Sequence, residues 1–277
     1  MTGRLDDQPV VIKQVLTDDA PQIVAAISAE LLRIAPRFET APLRVAALCG
    51  SWPECGLYCK IKVSGDPMTR TLPLIETPRR RLQLVTRAGA WLARYSEDDR
   101  GPAPLKLTHH RGMVATAPIA DLPAALRDPA ERLRVRLLDM ADRMTGGMAT
   151  YGPSHGDFVP GNLMVDRGDL WGIDIGTGLR LPIALELARF LNWAWLAVPD
   201  PAHAGLGSDD PAAGDRDVIG LQTLLQAPDD AAALRFFDGF ALLRLCFDMA
   251  MAPVLLSRLD RRIAQYLALP REMTHPV

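Results

Sequence analysis

The sequence has little net charge, and its first residues do not show the pattern of a secretory signal; each feature narrows the class of protein that we expect. Its 31 lysine and arginine residues nearly balance 33 aspartate and glutamate residues in a chain of 277, so no overall field attracts a polyanion such as nucleic acid. The start, MTGRLDDQ, lacks the basic start and apolar stretch of a secretory signal. We therefore expect a cytoplasmic protein without a nucleic-acid partner, and its oligomeric state stays open.

Cysteine is scarce, and its four occurrences form no metal-binding pattern. Cys49, Cys55 and Cys59 lie close together without a C-x-x-C pair or a nearby histidine, and Cys246 stands alone. This pattern favours ordinary reduced thiols.

Long uninterrupted apolar runs are also absent. The stretches 185–198 and 236–256 are rich in apolar residues, but charged residues interrupt both. The pattern indicates buried helices and no membrane partner. With 48% hydrophobic residues, the chain can bury a substantial core.

The N-terminal quarter alternates strand and helix signals. A β-branched run before Lys13 predicts a strand, and apolar residues at three- and four-residue steps predict a helix that begins near Pro21 and carries Glu30 at the edge of its apolar stripe. Segments 43–49 and 57–63 predict two adjacent antiparallel strands. From about residue 77 the pattern is largely helical.

The residues that point to chemistry lie in one stretch of 22 residues, 155–176, which reads HGDFVPGNLMVDRGDLWGIDIG. It predicts a loop, a strand, a tight turn and a second strand, with Asp157 and Asn162 before the hairpin and Asp174 after it. This order places three oxygen-bearing side chains at the mouth of one hairpin. There they can converge on a hard cation and a phosphate.

The stretch resembles the catalytic loop and metal-binding motif of aminoglycoside phosphotransferases and the related choline and homoserine kinases, which share the protein-kinase fold. The resemblance implies an α+β, two-lobed fold, with residues 1–64 as a small β-rich N-lobe and residues 65–277 as a mainly helical C-lobe. It implies that Asp157 orients the attacking hydroxyl, while Asn162 and Asp174 hold Mg²⁺ against the phosphates of ATP or GTP.

The resemblance extends to residues that would support this chemistry. It implies that Lys13 contacts the nucleotide phosphates and that Glu30 is its ion-pair partner. It also implies that His155 braces the loop and that Gly176 completes the metal-binding triplet. Glu186 stands where the family usually has an aspartate that supports the catalytic loop. A further similarity, Trp91 to Tyr95, predicts a helix packed in the core.

The sequence departs from the family pattern at its start. Only twelve residues precede Lys13, so we expect part of one strand there, without the first strands and glycine-rich loop that cover the phosphates. The chain is then an active kinase with a minimal N-lobe, an inactive pseudokinase that serves as a binding or scaffold module, or a shortened gene product.

The region after Asp174 narrows the substrate class. Pro182 opens a helix eight residues later, which leaves no platform for a peptide. We expect a small hydroxylated acceptor of the aminoglycoside, choline or homoserine kind. An acidic loop at residues 199–217 could contact it.

Overall fold

The structure is a computed structural model that describes residues 1–198, 221–248 and 253–270. The predicted acidic loop at residues 199–217 lies outside the described residues. The strands are β1 (Thr2–Leu5), β2 (Gln8–Gln14), β3 (Leu43–Val45), β4 (Leu48–Trp52), β5 (Leu57–Ile61), β6 (Asp66–Pro67), β7 (Gly101–Pro104), β8 (Met148–Pro153), β9 (Leu163–Asp166), β10 (Asp169–Gly172) and β11 (Arg180–Pro182). The helices are α1 (Ala20–Ile34), α2 (Met68–Leu74), α3 (Pro78–Tyr95), α4 (Thr108–Ala115), α5 (Ala124–Arg143), α6 (Ile183–Ala197), α7 (Leu221–Leu224), α8 (Asp230–Asp248) and α9 (Pro253–Ala268).

The N-terminal sheet has the strand order β1-β2-β5-β4, with every pair antiparallel. The expectation of only part of one strand before Lys13 is wrong, because β1 pairs with β2 over its full length. The hairpin fits because its turn needs only two residues. Asp6 and Asp7 both adopt positive φ angles, 47° and 63°, which match the twist of the flanking strands.

Helix α1 confirms the helix predicted from periodicity. It begins at Ala20 with Pro21 in its first turn, where a missing N–H has no cost. Its buried face carries Val24, Ile27, Leu31 and Ile34. Burial of this stripe, together with the short 3-10 turn Ala35–Phe38 that follows, holds the helix in the core beside β4 and β5.

The predicted strand at residues 43–49 is divided between two sheets. Only β4 pairs with β5, whereas β3 pairs in parallel with β10 of the second hairpin. The second sheet therefore has the order β3-β10-β9-β6. The predicted lobe boundary after residue 64 stays a prediction.

The remaining chain is mainly helical, as predicted. Helix α3 begins at Pro78 and confirms the predicted helix that contains Trp91 to Tyr95, and α5 adds a second long helix. Strands β7, β8 and β11 form a third sheet beside these helices. In the described residues, no helix is long and apolar enough to cross a membrane. The α+β fold class predicted from the sequence is confirmed.

Candidate active site

Two backbone hydrogen bonds join the predicted catalytic loop to the segment that carries Asp174. The carbonyl of His155 accepts the amide of Gly176 at 2.8 Å, and the carbonyl of Asn162 accepts the amide of Ile173 at 2.9 Å. These bonds lie on either side of Asp174 in the chain. The predicted hairpin is confirmed, and its two ends meet as the sequence order requires.

The backbone of this junction is constrained. Asp174 adopts a φ of 58°, a conformation that residues with a side chain rarely take and that concentrates at functional sites. At Gly176, a Cβ atom would lie 2.8 Å from the His155 carbonyl oxygen. Because that oxygen is fixed by its hydrogen bond, a glycine is needed at this position.

Asp157 is fixed by two neighbours and remains open to solvent. The side-chain amide of Asn162 donates to Oδ2 of Asp157 at 2.9 Å and to its backbone carbonyl at 2.8 Å. Arg189 lies 3.5 Å from Oδ1 and donates to the Gly156 carbonyl at 2.7 Å. The Asp157 side chain is 61% exposed. This carboxylate is therefore oriented and accessible at once.

Asp174 points toward the N-terminal sheet and contacts two lysines. Its Oδ1 lies 2.7 Å from Nζ of Lys13 and 3.0 Å from Nζ of Lys60. Burial raises the pKa of Asp174, but the charges and hydrogen bonds of the two lysines outweigh burial and hold the pKa below its usual value. Burial also lowers the pKa of Lys60, although Asp174 opposes this shift. The sequence reasoning missed Lys60, which is only 3% exposed.

The three predicted site residues therefore form two groups that the backbone junction joins. Asp157 and Asn162 are in direct contact, and Asp174 lies across the backbone junction with its Oδ1 on the lysines. Within residues 1–198, 221–248 and 253–270, no group of three His, Cys, Asp or Glu side chains could hold a metal ion. The metal-binding roles of Asn162 and Asp174 stay predictions.

A site for Mg²⁺ does not need such a group, because this ion usually takes one or two protein oxygens and completes its shell with phosphates and water. The Asn162 amide nitrogen is occupied by Asp157, so its oxygen is the atom left for a cation. Oδ2 of Asp174 makes no hydrogen bond with the described residues. These two oxygens fit an ion held mainly by phosphates.

Glu30 does not contact Lys13, which differs from the expected ion pair. Arg33 donates to both carboxylate oxygens of Glu30, at 2.7 and 2.6 Å, and the Tyr95 hydroxyl lies 2.6 Å from Oε1. Burial raises the pKa of Glu30, but these hydrogen bonds and the charge of Arg33 outweigh burial and lower it overall. Lys13 pairs instead with Asp174.

Tyr95 is fully buried, which confirms the prediction of core packing, and its hydroxyl adds a polar contact. The hydroxyl lies 3.0 Å from the Ser154 carbonyl as well as near Glu30. Tyr95 therefore connects helix α1 to the residue before the catalytic loop. Burial, together with Glu30, raises the pKa of Tyr95 far above its usual value, so the hydroxyl keeps its proton.

His155 and Glu186 lie under the loop and are almost completely buried. Oε2 of Glu186 accepts the backbone amide of His155 at 2.8 Å, and burial raises the pKa of Glu186. Burial also lowers the pKa of His155 to about 4, so its ring is neutral near pH 7. The ring packs against Trp91 and Phe158. Both residues are placed to brace the loop.

A cavity of about 500 Å³ opens beside Asp157. Helices α4, α6 and α8 supply most of its lining. The lining combines aromatic, apolar and charged side chains, among them His110, Asp157, Arg189, Trp193, Phe240 and Arg244. Burial lowers the pKa of His110 to about 4, so His110 adds no charge near pH 7. This cavity can enclose a small molecule next to the exposed carboxylate.

Comparison with known proteins gives matches in structure only. No protein-family model matches the chain, and no curated protein matches its sequence. A glucosamine kinase structure matches with a TM-score of 0.69 at 15% identity, covering 96% of this chain and 77% of that one. A thermostable aminoglycoside phosphotransferase APH(4)-Ia matches with a TM-score of 0.56 at 14% identity, covering 96% and 89%.

A third structure is a choline/ethanolamine kinase family protein from Mesorhizobium loti, with a TM-score of 0.52 at 12% identity over 94% of this chain and 83% of that one. Identities this low establish the fold alone. Together with the loop, the hairpin and the N-terminal sheet, they confirm the fold that the sequence motifs predict. The chain has the aminoglycoside phosphotransferase and choline kinase-like kinase fold.

Proposed function

We propose that this protein transfers the γ-phosphoryl group of ATP or GTP to a hydroxyl of a small molecule. The observation that carries the proposal is the arrangement around Asp157. Its exposed carboxylate is fixed by Asn162 and lines a cavity of about 500 Å³, while Asp174 and Lys13 meet on the other side of the backbone junction. Acceptor and nucleotide thus have separate places on either side of one loop.

The chemistry follows from this arrangement. Asp157 accepts a hydrogen bond from the acceptor hydroxyl and takes its proton as the oxygen forms a bond to the γ-phosphorus. The bond from that phosphorus to the bridging oxygen breaks, and the nucleoside diphosphate leaves. Positioning and charge neutralisation supply most of the catalysis in such transfers. Arg189 contributes by donating to the Gly156 carbonyl and by lying 3.5 Å from Oδ1 of Asp157.

Asn162 and Asp174 would hold Mg²⁺ through their free oxygens. When bound, the ion neutralises charge on the phosphates. Lys13 reaches the same place from β2 and would contact the phosphates directly, as a point charge. A structure of glucosamine kinase in complex with glucosamine, ADP and inorganic phosphate matches this chain with a TM-score of 0.51. The ADP in that complex supports a nucleotide beside Lys13 and Asp174 in this protein.

The experiment is an acceptor screen that measures nucleoside diphosphate release. ATP and Mg²⁺ are mixed with the protein and with glucosamine, an aminoglycoside, choline or homoserine in turn. We expect release that depends on one acceptor class and falls by about 10²- to 10⁴-fold in Asp157→Asn, as for loss of a general base. Asp139→Asn, an exposed ion-pair residue on α5, is the matched control and should keep full activity. An unchanged rate in Asp157→Asn would refute the proposed role.

A second candidate is an inactive pseudokinase that serves as a binding module. The observation that favours it is the pairing of Lys13 with Asp174 instead of Glu30, which occupies two groups that nucleotide chemistry uses. This candidate predicts a folded wild-type protein that neither binds nucleotide nor releases diphosphate with any acceptor. Acceptor-dependent release excludes it.

A further inference from the structure

Lys60 is a buried lysine on a central strand, and its position calls for an explanation. It lies on β5, between β2 and β4, and is 3% exposed. In the part of the chain that the structure describes, Asp174 is the acidic group within ion-pair distance of its Nζ, at 3.0 Å. A buried ammonium group is costly unless it is paired, so Asp174 and Lys60 depend on each other.

The register of the sheet directs Lys60 and Lys13 to the same carboxylate. Val11 lies opposite Lys60, and Lys13 lies opposite Tyr58. Directly opposed residues share a face of an antiparallel pair, and so do residues two apart on one strand. Lys13 and Lys60 are therefore diagonal neighbours on one face, and both reach Oδ1 of Asp174.

The charges around Asp174 therefore differ from those of a site built around one lysine and one aspartate. Two ammonium groups face one carboxylate, which leaves an excess of one positive charge before any ligand binds. Lys60 approaches from the buried side, whereas the side chains of Lys13 and Asp174 are 35% and 36% exposed. Lys60 can stay on Asp174 while Lys13 turns to an incoming phosphate.

We propose that Lys60 is the resident counter-charge of Asp174, in the place where a divalent ion would otherwise be needed, so that nucleotide binds this protein without Mg²⁺. The proposal rests on the proposed function, because it concerns the same nucleotide site. The proposal separates nucleotide binding from phosphoryl transfer. In binding, Lys60 neutralises Asp174 while Lys13 contacts the diphosphate, and Mg²⁺ remains available for the transfer step.

The experiment is calorimetric titration with ADP, once in excess EDTA and once in excess Mg²⁺. For the wild type we expect dissociation constants within about threefold of each other. In Lys60→Met, which removes the charge and keeps most of the volume, binding in EDTA should weaken by about tenfold relative to binding in Mg²⁺, because Asp174 then has one compensating charge fewer. Lys60→Arg keeps the charge and should restore binding in EDTA.

The outcomes separate this inference from the proposed function. If the wild type binds ADP only with Mg²⁺, or if Lys60→Met binds equally well in both conditions, the inference is overturned and the phosphotransferase stands. If the wild type binds ADP in neither condition, the nucleotide site itself is refuted. The wild-type titration tests the inference even if a variant fails to fold. Circular dichroism with thermal unfolding verifies that each variant is folded.

Discussion

Glu186 accepts the backbone amide of His155 at 2.8 Å and so fixes the start of the catalytic loop from below. Glu186 stands where the family usually has the shorter aspartate, and its longer side chain still reaches the loop backbone. Helix α6 also carries Arg189, one turn later on the same face. Arg189 donates to the carbonyl of Gly156, the residue after His155. One helix face therefore holds two consecutive residues of the loop.

The first prediction concerns Glu186. Glu186→Ala leaves the buried His155 amide without an acceptor and opens a cavity, so we expect a loss of about 2–4 kcal/mol in the free energy of unfolding. Glu186→Gln keeps an acceptor oxygen of similar size and should lose less than half as much. Urea unfolding measures both. Equal losses in the two variants would show that the hydrogen bond does not matter.

A second prediction concerns the hydroxyl of Tyr95, which meets both Glu30 and the Ser154 carbonyl. Tyr95→Phe removes the hydroxyl and preserves the ring stacked on Trp91. The Glu30 carboxylate then loses a buried donor, so the free energy of unfolding should fall by about 1–3 kcal/mol. A change below about 0.5 kcal/mol in thermal or urea unfolding would contradict this reading.

A third prediction follows from the lowered pKa of Glu30. A carboxylate whose folded pKa lies below its unfolded pKa adds stability that is present at neutral pH and is lost as pH falls through the folded pKa. The stability gap between wild type and Glu30→Gln should therefore be largest near neutral pH and shrink as the pH falls below 4.5, the ordinary pKa of a glutamate. Urea unfolding at a series of pH values measures the gap.

The matched control for Glu30 is Glu131. Glu131 pairs with Arg134 three positions on, as Glu30 pairs with Arg33, but the Glu131 side chain is 43% exposed. Exposed pairs of this kind contribute little. Glu131→Gln should change stability by less than about 0.5 kcal/mol at any pH. If the stability difference between wild type and Glu30→Gln grew as pH falls, the pKa of Glu30 would be raised on folding, not lowered, and the prediction would be wrong.

A fourth prediction tests the contact between the hairpin and the core. A Cβ atom at Gly172 would overlap the indole of Trp91, whose Nε1 donates to the Arg44 carbonyl at 2.8 Å and so cannot easily move. Gly172→Ala should lower stability by about 1–3 kcal/mol. Gly101→Ala is the control, because no atom lies within 4 Å of its added Cβ. Similar stability of the two variants would contradict the account.

Local patterns predicted the parts of the site that are close in sequence. The loop, the hairpin and the order Asp157, Asn162, Asp174 lie within one stretch, and helix α1 follows from its periodicity. The sequence analysis predicted only part of one strand before Lys13, because it assumed a long loop over the phosphates. A two-residue turn needs less chain, so a complete hairpin fits there. The parallel pairing of β3 with β10 joins distant segments, so no local pattern reports it.

Lys60 and Arg189 were missed for different reasons. Tyr58, Lys60 and Lys62 are two residues apart and so share one face of the predicted strand, and two lysines on a face are typical of a solvent-facing side. Only the position of Asp174 turns that face into a site. Arg189 had a usable signal. It lies three positions after Glu186 in a helix, so a role for Glu186 under the loop predicts Arg189 beside it.

The central claim is that a nucleotide binds where Lys13 meets Asp174, and calorimetric titration with a non-hydrolysable ATP analogue in Mg²⁺ tests it most directly. We predict saturable binding with a dissociation constant between about 1 μM and 1 mM, weakened by about tenfold or more in Lys13→Met. The absence of binding by folded wild-type protein would contradict the claim, and so would equal binding by Lys13→Met.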